Sequence, residues 1–302
     1  MHTSHAALAK RGYFYPTFEK NHQFIVSCFI DNPVIFDYNR YRSLAASEIA
    51  VRNQSSLDLL ERSFAASGCQ NLLLSSEHLV FLSASGIASL KDYLSRSFVN
   101  ITVLLYLRHP LLAIGSIIQE RVKNGAARIV DAIEKPPFTR ARHVLRSWES
   151  AFGANSILVR DQHPDALRNG DLIDDFLSCI GCPNIANEIT RVKANQSLSH
   201  PATLIADQLA ALHPKYSAGR APQGGISKIL KQIAGPKYVP SLQILDATQR
   251  AAGPDLSYLS QFWSLELRGP THRLCPSEEF ERWDVGTLRS LAEIVNALAL
   301  TH

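Results

Sequence analysis

The sequence predicts an α/β fold with a parallel central sheet flanked by helices, followed by a helical C-terminal flank. Between residues 69 and 181, apolar runs of strand length alternate with amphipathic stretches of helix length. This alternation is typical of parallel sheets that are covered on both faces. The run at 101–107 is apolar except for Thr102, as expected for a strand buried on both faces. After residue 160 the pattern is helical, which predicts the flank.

The elements before the predicted sheet are mainly helical. A short extended segment at 13–16 leads into a mixed apolar segment at 21–30, which we predict to be a helix. Residues 43–67 carry apolar side chains at helical spacing, and Gly68 follows them. Because glycine commonly ends helices, this pattern predicts one long amphipathic helix that stops at Gly68.

Three apolar runs, at 72–75, 101–107 and 156–159, are the predicted strands. Because a helical stretch separates each strand from the next, we expect all three to lie parallel in one sheet with right-handed crossovers. The predicted helices that connect and follow them lie at 85–98, 111–123, 139–152, 171–179, 201–212, 225–233 and 284–300.

The length and composition are those of a globular chain with a sizeable core. The 302 residues are 46% hydrophobic and 19% charged, which are not the values of a disordered chain. We therefore predict a single domain over residues 1–302, with an α/β core at 1–200 and a mainly helical flank at 201–302.

Charge and cysteine usage exclude several classes of protein. The net charge of +4 favours an anionic ligand, but Lys and Arg form no stripe of the kind that binds nucleic acid. No apolar run approaches the ~20 residues that span a bilayer, and the N-terminus has no hydrophobic signal core. The five cysteines are scattered and odd in number, which argues against a disulfide framework and predicts a cytoplasmic protein.

A cation and a hydroxyl lie where the strand at 101–107 ends. Arg108 follows the strand, Pro110 suits the first turn of the next helix, and Ser116 comes eight residues after Arg108. Open α/β sheets bind ligands at the carboxyl ends of their strands, and a guanidinium with a nearby hydroxyl can hold a phosphate. The spacing leaves open the alternative of a strand-capping arginine and a buried serine.

The strand at 72–75 ends in a second group of polar side chains. Residues 75–78 read Ser-Ser-Glu-His, so a carboxylate (Glu77) and an imidazole (His78) follow two hydroxyls. A carboxylate in this position could act as general base for a hydroxyl nucleophile. The alternative is a structural cap, because serine followed by glutamate is common at the start of helices. The sequence favours neither interpretation.

Motifs that would indicate other chemistries are absent or incomplete. The segment 219–224 has the glycine spacing of a phosphate loop, but the required lysine is missing and no strand precedes it. We interpret it as a flexible basic loop. Cys179 and Cys182 have redox or zinc spacing without a second pair. With no zinc pattern, G-x-S-x-G elbow or G-x-G-x-x-G fingerprint in the chain, we predict no metal.

Several segments together resemble a known family. They are GYFYP, LLLSSEHL, VLLYLRHPLLAIGSIIQERVKNG, LRSWESAFGANSILVRDQHPDALRNGDLIDDFLSCIG and NQSLS, in chain order. Over roughly residues 8–200 the chain is similar to bacterial sulfotransferases that use 3′-phosphoadenosine 5′-phosphosulfate (PAPS). The resemblance implies a P-loop NTPase-like fold of the sulfotransferase type. It also implies that Arg108 and Ser116 hold the 3′-phosphate and that Glu77 is the general base, with His78 the weaker candidate.

The chain departs from this family at its start. Family members begin with a strand and a Lys-Thr-Gly-Thr-Thr type loop that cradles the 5′-phosphosulfate, whereas Met1 falls within the helix expected after that loop. Two interpretations are open: a shortened form of a working enzyme, or a degenerate relative that keeps only the scaffold. For the 302-residue chain we expect little or no transfer activity, because an anion cradle of this kind supplies much of the rate.

The predicted function is that of a sulfotransferase-like protein. The intact activity would transfer a sulfuryl group from PAPS to a hydroxyl or amine, with a carbohydrate as the expected acceptor. The alternative is a non-catalytic nucleotide-binding or interaction protein on a degenerate scaffold. A phosphotransferase is a third option, since P-loop folds host many chemistries. The expected partners are an anionic nucleotide and a carbohydrate, without nucleic acid or a membrane span.

Overall fold

A computed structural model describes residues 5–191, 197–272, 274 and 283–301, so part of the NQSLS segment lies outside the described residues. The chain divides into two compact units. Unit 1 comprises Met1–Tyr106 and Arg142–Val192, and unit 2 comprises Leu107–Ala141 and Lys193–His302. Because residues 107–141 join the C-terminal part, the units do not follow the predicted boundary at residue 200. The single domain over 1–302 stays a prediction.

The described chain is mixed α/β, 60% helical, with two small parallel sheets. In the first sheet β1 (Tyr13–Phe14) pairs with β2 (Asn71–Leu72), and in the second β3 (Val103–Leu107) pairs with β4 (Ile157–Asp161). The predicted α/β class is confirmed. The predicted single central sheet is wrong, since the strands at 71–72 and 103–107 belong to different sheets.

The backbone hydrogen bonds of β2 explain this difference. The N–H of Asn71 donates to the carbonyl of Gly12 at 2.9 Å, and the N–H of Leu73 donates to the carbonyl of Phe14 at 2.9 Å. Residues 12–14 therefore satisfy donors that a central sheet would have used. The extended segment predicted at 13–16 exists, but only its pairing with β2 makes it a strand.

The helices account for most of the remaining chain. In order they are α1 (His5–Ala9), α2 (Gln23–Phe29), α3 (Asp37–Arg40), α4 (Ala46–Ser67), α5 (Ala84–Ser95), α6 (Pro110–Lys123), α7 (Asp131–Glu134), α8 (Ala141–Phe152), α9 (Leu172–Cys179), α10 (His200–Leu212), α11 (Gln223–Leu230), α12 (Leu242–Trp263) and α13 (Val285–Leu300). Local signals define several ends. Gly68 has a φ of +67° and ends α4, and the Asp171 carboxylate accepts the N–H of Ile173 at 2.8 Å to begin α9.

Each unit has its own hydrophobic core. In unit 1, the inner faces of α1 and α9 meet the turn at Pro183–Glu188, with Leu8 and Leu177 fully buried. In unit 2, α6 and α10 to α13 enclose a larger cluster that includes Ile114, Leu209 and Ile226, each fully buried. The helical character predicted for residues 201–302 is confirmed for the described part of that range.

The sequence patterns missed helix α12. Gly253 and Pro254 lie inside it, and such a pair normally marks a break because proline lacks an N–H and restricts the residue before it. The helix continues through Pro254 because residues on both sides of the proline are buried, with Ala252 1% and Leu259 1% exposed. Burial along the whole helix outweighs the local cost.

Two adjacent glycines in α11 give a matched test of packing in unit 2. A Cβ atom on Gly225 would lie 2.9 Å from the carbonyl oxygen of Ala299 in α13, whereas Gly224 has no atom within 4 Å of that position. We expect Gly225→Ala to lower the free energy of unfolding by about 1–3 kcal/mol through overpacking. We expect Gly224→Ala to be neutral or to raise it by up to about 1 kcal/mol. Urea titration of both variants measures this, and equal stabilities would show that α11 and α13 do not approach closely.

Candidate functional site

The 75–78 turn begins three residues after the end of β2 at Leu72 and carries the predicted base. Ser76 begins the 3₁₀ helix Glu77–Phe81, and its Oγ accepts the N–H of His78 at 3.3 Å. The capping interpretation is therefore confirmed for Ser76. The side chain of Glu77 is exposed and makes no hydrogen bond or ion pair within the described residues. Its carboxylate is free to meet a ligand from solvent.

His78 is held by polar and aromatic neighbours. Its Nδ1 lies 3.5 Å from Nε2 of Gln23. The imidazole also meets the ring of Phe36 edge-on at 5.6 Å and the ring of Phe81 at 5.7 Å. Phe81 is 62% exposed. His78 thus lies beside an aromatic surface that faces solvent.

The buried His22 fixes the backbone of this turn. The N–H of Ser75 donates to His22 Nδ1 at 3.0 Å, and His22 Nε2 lies 2.8 Å from the carbonyl oxygen of Pro16. Since Nδ1 accepts, the proton is on Nε2, which donates to that carbonyl. Asn21 and His22 both have positive φ, +74° and +47°, a strained conformation outside glycine.

Sequence reasoning missed His22. Asparagine tolerates the left-handed conformation better than most residues, and its position before His22 is the one local hint of the unusual backbone. The contact from His22 to Ser75 spans 53 residues, so no local pattern could have indicated it.

Arg108 is a cation at the start of unit 2. It follows β3 and stands two residues before Pro110, the first residue of α6. Its side chain is exposed and forms no hydrogen bond or ion pair within the described residues. Nearby protein groups nevertheless exclude water and lower the pKa of its guanidinium. An arginine keeps its charge at physiological pH, so this is an available positive charge with no carboxylate partner among the described residues.

Ser116 lies further along α6 and is exposed, not buried. Its Oγ donates to the carbonyl of Ala113 at 2.8 Å. Six residues of helix separate it from Pro110, a rise of about 9 Å along the axis. Arg108 and Ser116 belong to unit 2, whereas Glu77 and His78 belong to unit 1.

The segment 219–224 is not a phosphate cradle. The carbonyl of Gly219 accepts Asn296 Nδ2 at 2.9 Å, and the N–H of Ala221 donates to Asn296 Oδ1 at 2.9 Å. Arg220 Nη2 donates to the carbonyl of Lys123 at 2.8 Å. These bonds tie the segment to neighbouring elements of unit 2, and two of them use donors, the N–H of Ala221 and the guanidinium of Arg220, that an anion would need.

Unit 1 contains a small apolar cavity within its described part. It has a volume of about 80 Å³ and is lined by Ser76 and apolar residues that include Leu79, Leu104 and Trp148. Ligand sites for small molecules usually reach roughly 300 Å³ or more. The cavity is too small for a nucleotide or a sugar.

Comparison with models of known families, with curated proteins and with solved structures finds no match. The sulfotransferase resemblance and the P-loop-like fold therefore stay predictions. Within the described residues, no group of His, Cys, Asp and Glu side chains could hold a metal ion. Among those same residues, no helix is both long and apolar enough to cross a bilayer. The cytoplasmic location stays a prediction.

Proposed function

We propose that this protein is sulfotransferase-like, on a P-loop-like scaffold, and that the intact activity moves a sulfuryl group from PAPS to a hydroxyl or amine of a carbohydrate. The observation that carries the proposal is Arg108, an exposed cation after β3 with no anionic partner among the described residues. An exposed guanidinium without an anionic partner forms a favourable charge-assisted contact with a phosphate. The resemblance of residues 103–125 to the bacterial family supports a nucleotide as the source of that phosphate.

Arg108 and Ser116 are assigned to the 3′-phosphate of the donor. A guanidinium has five N–H donors in a planar fork that matches phosphate oxygens, and Arg108 uses none of them on the described protein. Ser116 would exchange its bond to the carbonyl of Ala113 for one to the phosphate. The hydrogen bond to the carbonyl contributes about 0.5–1.5 kcal/mol, whereas a hydrogen bond to a charged phosphate contributes more. The exchange is therefore favourable.

Glu77 is assigned the role of general base, which accepts the proton of the acceptor. In the reaction the acceptor oxygen or nitrogen attacks sulfur and the bond between sulfur and the bridging oxygen breaks. The nucleotide leaves with that electron pair as 3′-phosphoadenosine 5′-phosphate. The proton of the acceptor passes to the Glu77 carboxylate, which is exposed and unpartnered among the described residues. His78 is the second candidate for this role, and its Nδ1 is already close to Gln23.

The test is discrimination between two nucleotides that differ only in the 3′-phosphate. By calorimetry we expect 3′-phosphoadenosine 5′-phosphate to bind roughly 10- to 150-fold more tightly than adenosine 5′-phosphate, because one charged contact contributes about 1.5–3 kcal/mol. Equal affinities, or no binding of either, would contradict the proposal. This measurement does not require turnover.

The alternative is a nucleotide-binding protein without catalysis. The small volume of the cavity beside Ser76 favours it, since this cavity offers no enclosed place for an acceptor. Transfer of labelled sulfate from PAPS to a panel of glycans separates the two functions. The assay compares the 302-residue chain with a version that carries the family's N-terminal strand and Lys-Thr-Gly-Thr-Thr loop. Transfer by the extended version supports the enzyme, and tight nucleotide binding without transfer by either version favours the alternative.

A further inference from the structure

Two arginines share one tyrosine in unit 1. The guanidinium carbon of Arg42 lies 4.5 Å from the centroid of the Tyr38 ring, and that of Arg52 lies 4.2 Å from it. Arg42 also donates to the carbonyl of Tyr38, and Arg52 donates to the Tyr38 hydroxyl and to Asn39 Oδ1. Tyr38 is 7% exposed, so a rigid buried ring holds both cations in place.

These two charges are not neutralised by an ion pair within the described chain. Both arginines interact electrostatically with the carboxylate of Glu19, which accepts the N–H of Phe24 at 3.4 Å. Burial raises the pKa of Glu19 even though Arg42 and Arg52 oppose that change. One half-buried carboxylate thus faces two arginines, which leaves excess positive charge at the surface.

Most donors of the two arginines remain available. A guanidinium carries five N–H donors. Arg42 directs one contact and Arg52 two contacts to the protein. Arg42 is exposed and Arg52 is partly exposed, so solvent or a ligand reaches both.

A continuous line of aromatic rings connects this pair to the 75–78 turn. The Tyr38 ring lies 6.1 Å from the Phe36 ring, and Phe36 lies 5.6 Å from His78. Phe81 follows at 5.7 Å from His78 and is 62% exposed. The two guanidiniums and the exposed Phe81 ring therefore lie at the two ends of this line of rings, and His78 of the turn that carries Glu77 lies between them.

We propose that Arg42 and Arg52 bind a carboxylate of the acceptor, so that the acceptor is an acidic oligosaccharide whose sugar ring stacks on Phe81. Planar guanidiniums bind carboxylates through paired N–H donors. The carboxylate would supply the negative charge that the two arginines at Tyr38 lack. This inference rests on the proposed function, because it names the acceptor that Glu77 would deprotonate.

The test compares an acidic trisaccharide of galacturonic acid with its carboxyl-reduced neutral form, by calorimetry on the full chain without nucleotide. We expect the acidic form to bind about ten times more tightly, as for one charge-assisted contact. Arg42→Gln and Arg52→Gln should each reduce this preference several-fold. Arg62→Gln should leave it unchanged, because Arg62 is an exposed arginine of the same helix α4 as Arg52 whose side chain bonds to no described residue.

Equal affinity for the two sugars, or an unchanged preference in Arg42→Gln, would overturn the inference. Urea titration checks that each variant is folded. If Arg52→Gln proves unstable, Arg42→Gln decides, because the Arg42 side chain is exposed and donates only to a carbonyl. Arg108→Ala separates this inference from the proposed function, because it should weaken nucleotide binding and leave the preference for the acidic sugar intact. Loss of that preference in Arg108→Ala would contradict the assignment to Arg42 and Arg52.

Discussion

Replacing Asp175 with alanine is expected to destabilise unit 1 strongly. Asp175 is 2% exposed, and its carboxylate forms an ion pair with Arg160. It also accepts the Tyr106 hydroxyl at 2.7 Å and the N–H of Arg168 at 3.1 Å. Removal of the carboxylate leaves several partly buried donors without their partner. We expect Asp175→Ala to lower the free energy of unfolding by about 3 kcal/mol. This is the lower end of the range for removing one partner of a buried ion pair, because the Arg160 side chain is 35% exposed.

The same network predicts how stability depends on pH. Burial by itself would raise the pKa of Asp175, but hydrogen bonds from Arg160, Tyr106 and the N–H of Arg168 outweigh it and lower the pKa below its usual value. A lowered pKa in the folded state stabilises the protein above the unfolded pKa of about 3.9. This contribution is lost as the pH falls through the folded pKa.

Urea titrations at several pH values measure both effects. The gap in unfolding free energy between the wild type and Asp175→Asn should be largest near neutral pH and should narrow under acid conditions. Asp165→Ala is the control, because its side chain is 74% exposed and its contact with His163 is 3.7 Å long. It should change stability by less than about 1 kcal/mol. If Asp165→Ala and Asp175→Ala lower the free energy of unfolding equally, the network around Asp175 does not stabilise unit 1.

Replacing Arg108 with alanine is expected to abolish the preference for a nucleotide with a 3′-phosphate. The charge-assisted contact contributes about 1.5–3 kcal/mol, which is roughly 10- to 150-fold in affinity. Because the Arg108 side chain is exposed and bonds to no described group, its removal should not unfold the protein. The affinity for adenosine 5′-phosphate, which lacks the 3′-phosphate, should stay the same.

Calorimetry with 3′-phosphoadenosine 5′-phosphate measures this loss. Arg121→Ala is the matched control, because Arg121 is an exposed arginine in the last turn of α6 whose side chain bonds to no described residue. It removes the same net charge at a position with no assigned ligand. If both variants lose affinity equally, the effect is one of overall charge and the assignment to Arg108 is wrong.

The sequence by itself determined most helices of this protein and the polar ends of two strands. Predicted helices at 43–67, 111–123 and 171–179 match α4, α6 and α9 within a few residues. The signals that define them are local: the spacing of apolar side chains, Gly68 at the end of α4, Pro110 at the start of α6 and the Asp171 cap of α9. The positions of Arg108 and Glu77 after strands followed from the same local patterns. Whether they hold a nucleotide and a proton stays a prediction.

Only the tertiary structure decided which strands pair, whether a helix continues through a proline and which distant polar groups form hydrogen bonds. β2 pairs with the distant β1, α12 continues through Pro254, and His22 reaches Ser75. Arg52 reaches Tyr38 from a different helix. Each outcome depends on burial and hydrogen bonds summed over distant residues, which outweigh local preferences of about 1–3 kcal/mol. Local sequence patterns therefore predict helices and strands well. They predict poorly which of these elements come together to form a site.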